Sequence, residues 1–257
     1  MPAERANADK TLTLRLNASV ANITINRPTR RNALTEAMWE DLKRWVEELP
    51  SNIRLLTITG EHGVFTAGSD IRELAKLSLN DVDRVFRSIE LTARTIESLS
   101  IPSIAAIPGA ALGGGLILAL SCDLRIGTQR ARFGMPVGRL GITLQPPFLQ
   151  RLVRILGLSR TKDLIYTGRI YLADEAWRIG LLNYLVEDEV GLSNEITSIA
   201  QKILAQSFPS LVAVKENIAR LLQLNSAEVT ESWIGPDFSE GIRAFTEKRR
   251  PRFPDQS

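Results

Sequence analysis

Gly109-Ala110-Ala111-Leu112-Gly113-Gly114-Gly115 runs without a break into Leu116-Ile117-Leu118-Ala119-Leu120. A glycine cluster ahead of an apolar run, which continues as helix or buried strand, leaves backbone N–H donors unpaired. If a helix starts there, the positive end of its dipole faces the same point. A second glycine-bearing stretch, Phe65-Thr66-Ala67-Gly68-Ser69-Asp70-Ile71, has the same character. Both are built to aim amides at one developing negative charge. Such preorganised donors are among the largest contributions a protein makes to carbonyl chemistry.

Outward from these stretches, strands and helices alternate. Residues 11–16 and 20–25 form a hairpin across Asn17-Ala18-Ser19. A helix from Thr35 carries Met38, Leu42, Trp45, Val46 and Leu49 on one face and stops at Pro50. Ile53–Thr59, Ser103–Ile107 and Cys122–Gly127 read as buried strands, with a helix from Asp81 between the first two. The apolar face of that helix is Val82, Val85, Phe86, Ile89, Ile96 and Leu99. After Pro146 the pattern is helical, over 147–156, 159–167, 173–180, 191–206, 209–224 and 237–249, with one strand at Asn183–Val186. The order predicts an α/β core over 11–195 and a helical region over 196–257, behind a polar, flexible start at 1–10.

Composition narrows the classes. The 257 residues are 44% hydrophobic and carry a net charge of +3, enough for a substantial core and far from a nucleic-acid footprint. Pro108 and the glycines interrupt the longest apolar stretch, so no membrane span is expected, and the first ten residues do not read as a secretory signal. The lone Cys122 excludes an internal disulfide, fits a reducing, cytoplasmic setting, and reads as a packed thiol. The lone His62, in a turn, leaves no multi-histidine metal site.

The ordered set of motifs resembles the crotonase (enoyl-CoA hydratase/isomerase) superfamily over about residues 11–253. It comprises Asn26-Arg27-Pro28 with Asn32-Ala33-Leu34, the two glycine stretches, Cys122-Asp123-Leu124, and Phe133-Gly134-Met135-Pro136 with Leu140-Gly141. Tyr166-Thr167-Gly168, Glu175-Ala176 with Gly180-Leu181, Glu240-Gly241, Ala244-Phe245 and Glu247-Lys248-Arg249 complete it. The resemblance implies a spiral of ββα units, a C-terminal trimerisation region, and trimers or hexamers acting on acyl-CoA thioesters. It also implies no bound cofactor, coenzyme A being part of the substrate. By the same resemblance the Ser69 and Gly114 amides form an oxyanion hole. Arg27, Arg30, Arg31, Ala67, Asp70, Ile71, Phe245 and Lys248 fall at CoA-binding positions, the last two commonly reaching across a subunit boundary.

The chain departs from the family where its hydratases keep two glutamates: Ile117 and Val137 stand there. Neither can move a proton. Glu73, Thr143, Leu144 and Gln145 are the candidate acyl-pocket residues that remain, with Arg139 read as packing and Asp70 as a tie for its loop. An atypical lyase or isomerase is expected, with an acyl-CoA decarboxylase or a catalytically silent acyl-CoA-binding scaffold as alternatives.

Overall fold

The computed structural model describes residues 3–221 and 238–249. The chain opens with strands β1 (Ala3–Ala6), β2 (Leu12–Asn17) and β3 (Val20–Ile25), then helix α1 (Glu36–Glu47), strand β4 (Leu55–Gly60) and the one-turn helix α2 (Ile71–Leu74). Helix α3 (Leu79–Glu97), strands β5 (Ser103–Ile107) and β6 (Ala110–Leu112), helix α4 (Gly114–Ser121), and strands β7 (Leu124–Thr128) and β8 (Arg132–Gly134) follow. Then come α5 (Pro146–Thr167), β9 (Ile170–Leu172), α6 (Ala173–Arg178) and β10 (Tyr184–Val186). Helices α7 (Glu189–Leu204), α8 (Phe208–Leu221) and α9 (Phe238–Thr246) close the described chain.

A seven-stranded sheet runs β1-β2-β3-β4-β5-β7-β10, antiparallel at the β1-β2-β3 end and parallel from β3 onward. A three-stranded sheet, β6-β8-β9, forms a second layer. Two isolated parallel bridges, Leu34 to Ser69 and Thr66 to Ala111, continue that layer towards the start of the chain. Each turn therefore lays one strand in the large sheet, one short strand or bridge in the small layer, and then a helix. β4, Thr66–Ser69 and α2–α3 make one such turn, and β5, β6 and α4 make the next. This is the expected spiral of ββα units.

Local chemistry fixes the helices. The Thr35 hydroxyl accepts the Met38 amide at 3.3 Å and caps α1, which buries Met38, Trp39, Leu42, Trp45 and Val46. Ser78 caps α3, so that helix begins two residues before the expected Asp81. All of α4 from Gly115 onward is buried, as an apolar helix without a polar face must be. Gly157, at φ 75° and ψ 166°, kinks α5 where two helices were expected.

Three expectations are corrected. The start is not a loose tail, because Ala3–Ala6 pairs in register with β2. The expected join between residues 195 and 196 falls inside α7, one continuous helix. Strands β6, β8 and β9 were not foreseen, at three residues each being too short to show a period. Residues 222–224 and 237 of the expected helices, and the basic residues beyond Arg249, lie outside the described residues. No described helix is long and apolar enough to cross a membrane.

Helix α9 folds back on its own chain, against α2 and the 3-10 turn Val137–Leu140. Gly241 makes this approach possible, since a Cβ there would overlap the Leu140 backbone. Gly241→Val is expected to lift α9 off and cost about 1–3 kcal/mol, the usual range for overpacking. Limited trypsin digestion would then cut at Arg243 while the sheet stays protected; an unchanged digestion pattern would contradict this seating.

Candidate active site

The two glycine stretches meet. The Leu34–Ser69 bridge is parallel: the Leu34 amide donates to Gly68 O and the Asp70 amide to Leu34 O, each at 2.8 Å. In a parallel bridge the residue between those two groups turns its own N–H to the opposite side. For Ser69 that side is the start of α4. Gly113, at φ 52°, caps α4 without a side chain, and its carbonyl accepts from Leu116 at 3.0 Å and Ile117 at 3.2 Å. The Gly114 amide is left over. Among the described residues neither the Ser69 nor the Gly114 N–H donates a hydrogen bond. A Cβ on Gly114 would lie 3.6 Å from Ser69 N, so the two nitrogens are within about 6 Å by standard bond lengths. That spacing lets both donors reach one oxygen.

Gly68, at φ 90°, is required by this approach: a Cβ on it would sit 2.6 Å from Leu112 O and 2.9 Å from Gly114 N. Behind it runs a short relay. The Thr66 hydroxyl accepts the Gly68 amide at 3.0 Å and donates to Asn32 O at 2.7 Å. Asn32 is fully buried at φ 57°; its Oδ1 accepts the Arg27 amide at 2.7 Å, and its Nδ2 donates to Glu61 O at 2.9 Å and Val64 O at 2.7 Å. Every polar group of Asn32 is thus committed to holding the loops that carry Ser69. The Ser69 Oγ is itself buried without a partner beside Gly114.

The paired amides open into a cavity of about 560 Å³. Ala67, Ile71, Phe245 and Lys248 line it with Arg30, Arg31 and Asp70, and so do Ile117, Val137 and Leu144. Phe245 and Lys248 line the cavity of their own chain. Arg27 does not line it. Its Nη1 is taken by Asp70 Oδ2 at 2.7 Å and by Ala33 O at 3.0 Å.

Asp70 is nonetheless the only carboxylate among the described lining residues. Burial pushes its pKa up, but hydrogen bonds from Arg27 and from the Arg72 amide, together with the Arg27 charge, outweigh that and hold it below the ordinary value. Its stabilising contribution is therefore full above the ordinary carboxylate range and is lost only as pH falls through the depressed pKa. Asp70 also caps α2, accepting Arg72 N at 3.0 Å. It ties the loop.

Glu73 does not line the cavity. Its Oε2 accepts the Glu36 amide at 3.1 Å at the start of α1, and burial is the main cause of its raised pKa. Thr143 is exposed and Gln145 is buried ahead of α5, and neither lines the cavity. Arg139 reaches Gly168 O at 3.5 Å, a packing contact. Cys122 is a packed thiol, pushed up to about 12 by burial. His62 is exposed in its turn. Among the described residues no cluster of three His, Cys, Asp or Glu could hold a metal.

Sequence reasoning missed Asn32 and Thr66 as positioning residues, although both lie in quoted motifs. It also read Phe86 and Ile89 only as core, whereas their face of α3 lines the cavity along with Phe148 of α5.

A family model described as enoyl-CoA hydratase/isomerase matches residues 15–256, and the chain belongs to that family. It is 36% identical over 250 residues to the short-chain-enoyl-CoA hydratase of Clostridium acetobutylicum, covering 90% of this chain and 92% of that one. Among solved structures, an enoyl-CoA hydratase from Bacillus anthracis superposes with a TM-score of 0.78 at 32% identity, covering 95% of this chain and 98% of that one. A Thermobifida fusca YX protein solved in complex with acetoacetyl-CoA gives 0.75 at 33% identity, covering 85% and 89%.

Thr66→Val keeps the side-chain shape but strands the Gly68 amide and the Asn32 carbonyl. A loss of about 1–3 kcal/mol in stability by denaturant unfolding is expected, and Thr66→Ser should restore it. Equal behaviour of the valine and serine variants would contradict the relay.

Proposed function

We propose that this protein is an acyl-CoA enzyme that uses the Ser69 and Gly114 amides as an oxyanion hole to polarise a thioester towards its enolate. The observation that carries the reading is the pair of unpartnered amides facing one cavity. A thioester enolate bears its charge on oxygen, and fixed donors stabilise it without waiting for solvent to reorient. Arg30, Arg31 and Lys248 at the cavity suit the phosphates of coenzyme A, and Ala67, Ile71 and Phe245 suit its pantetheine arm. The setting is cytoplasmic acyl-CoA or fatty-acid metabolism.

Proton transfer is where the chain differs from a two-glutamate hydratase. Ile117 and Val137 line the cavity near α4 and supply no titratable group. The remaining carboxylate, Asp70, is engaged by Arg27. The reaction is accordingly an atypical lyase or isomerase step in which the substrate or water carries the proton. The second reading is an acyl-CoA-binding subunit without turnover, favoured by that same commitment of Asp70.

A homotrimer or a dimer of trimers belongs to the proposal. Helix α8 supports it, with no residue buried within one chain and with Val214, Ile218 and Leu221 exposed.

Installing Ile117→Glu and Val137→Glu together tests the assignment of missing groups. General acid–base catalysis is worth about 10²–10⁴ in rate, so the double variant should hydrate crotonyl-CoA at least about 100-fold faster than the wild type. The added Ser69→Pro change, which removes one amide donor, should abolish that gain. Fast wild-type hydration that the double variant does not exceed would contradict the atypical site.

A further inference from the structure

Exposure separates the cations of the cavity lining from its apolar side chains. The four described cations on it, Arg30, Arg31, Arg72 and Lys248, are all exposed and so mark the mouth. Phe86, Ile89 and Phe148, at 7%, 1% and 2% exposed, form an apolar floor together with the equally buried Leu74, Ile117 and Met135.

A buried clamp fixes that floor. One turn beyond Phe86 and next to Ile89, Glu90 Oε2 meets Arg151 Nη1 at 2.5 Å, and Arg151 Nη2 meets Glu97 Oε2 at 2.7 Å. Arg154 reaches the same Glu97 at 2.9 Å, and the Arg151 guanidinium lies 5.9 Å from the Phe148 ring centre. Glu90 and Arg151 are nearly solvent-free and committed to each other, so α3 and α5 cannot swing apart without stranding a charge. The floor's position is therefore set by side-chain size.

Resting on the acyl-CoA reading above, we infer that the acyl group accepted here is an uncharged hydrocarbon that packs against this floor. Phe86, Ile89 and Phe148 determine how long it can be. A terminal carboxylate at that floor would be buried without a partner among the described residues, which is strongly unfavourable. A hydrocarbon gains at each step, because every methylene buried on an apolar wall is worth roughly fourfold in affinity.

Calorimetry of the full chain with butyryl-, hexanoyl-, octanoyl- and adipyl-CoA tests this. Octanoyl-CoA should bind at least about tenfold more tightly than butyryl-CoA, and adipyl-CoA at least about tenfold more weakly than hexanoyl-CoA. Phe148→Ala should move the optimum to longer chains, with dodecanoyl-CoA gaining relative to hexanoyl-CoA. Phe86→Leu provides the same readout should the alanine variant fail to fold. Affinity independent of chain length, or adipyl-CoA matching hexanoyl-CoA, would overturn the inference and leave the acyl-CoA reading intact. Failure of every thioester to bind would overturn both.

Discussion

The site depends on two amides that the backbone geometry leaves unpaired. A parallel bridge directs Ser69 N–H away from Leu34, and the first turn of α4 leaves Gly114 N–H without an intrahelical acceptor. Neither vacancy is accidental to the fold. Each ββα turn sends the chain from the large sheet through a short bridge or strand into a helix, and the two vacancies occur where the short segment gives way to the helix in successive turns. The small layer brings them together. The Asn32–Thr66 relay and the Arg27–Asp70 pair then hold the Ser69 loop in place.

Around those donors the cavity separates two kinds of chemistry. Cations gather where solvent reaches, suiting a phosphate-bearing carrier. Aliphatic and aromatic side chains, Ile117 and Val137 among them, take most of the interior. An interior of that kind strengthens the field of the amides at a developing oxyanion. Ile117 and Val137 supply no titratable group to it.

Much of this was legible in the sequence because glycine placement and apolar periodicity are local signals. The two glycine stretches located Ser69 and Gly114, and the 3.6-residue period found α1 and α3 within a turn. Asn32 and Thr66 were harder to read, since their role is a hydrogen-bond relay across 34 residues that only the folded loops bring into reach. Arg27 looked like a phosphate ligand because charge alone does not reveal a partner; Asp70, 43 positions away, claims it. Glu73 offered a carboxylate on the right segment, yet its side chain turns to the Glu36 amide instead. The strands β6, β8 and β9 escaped notice because three residues define no period, although they form the layer that unites the site.

The most direct measurement is isotope-edited infrared spectroscopy of the thioester carbonyl in bound octanoyl-CoA, for wild type and Ser69→Pro. Two amides sharing that oxygen predict a carbonyl stretch moved to lower frequency on binding, with the shift largely lost in the proline variant while octanoyl-CoA remains bound. A bound wild-type carbonyl stretching at its free-solution frequency would contradict the account.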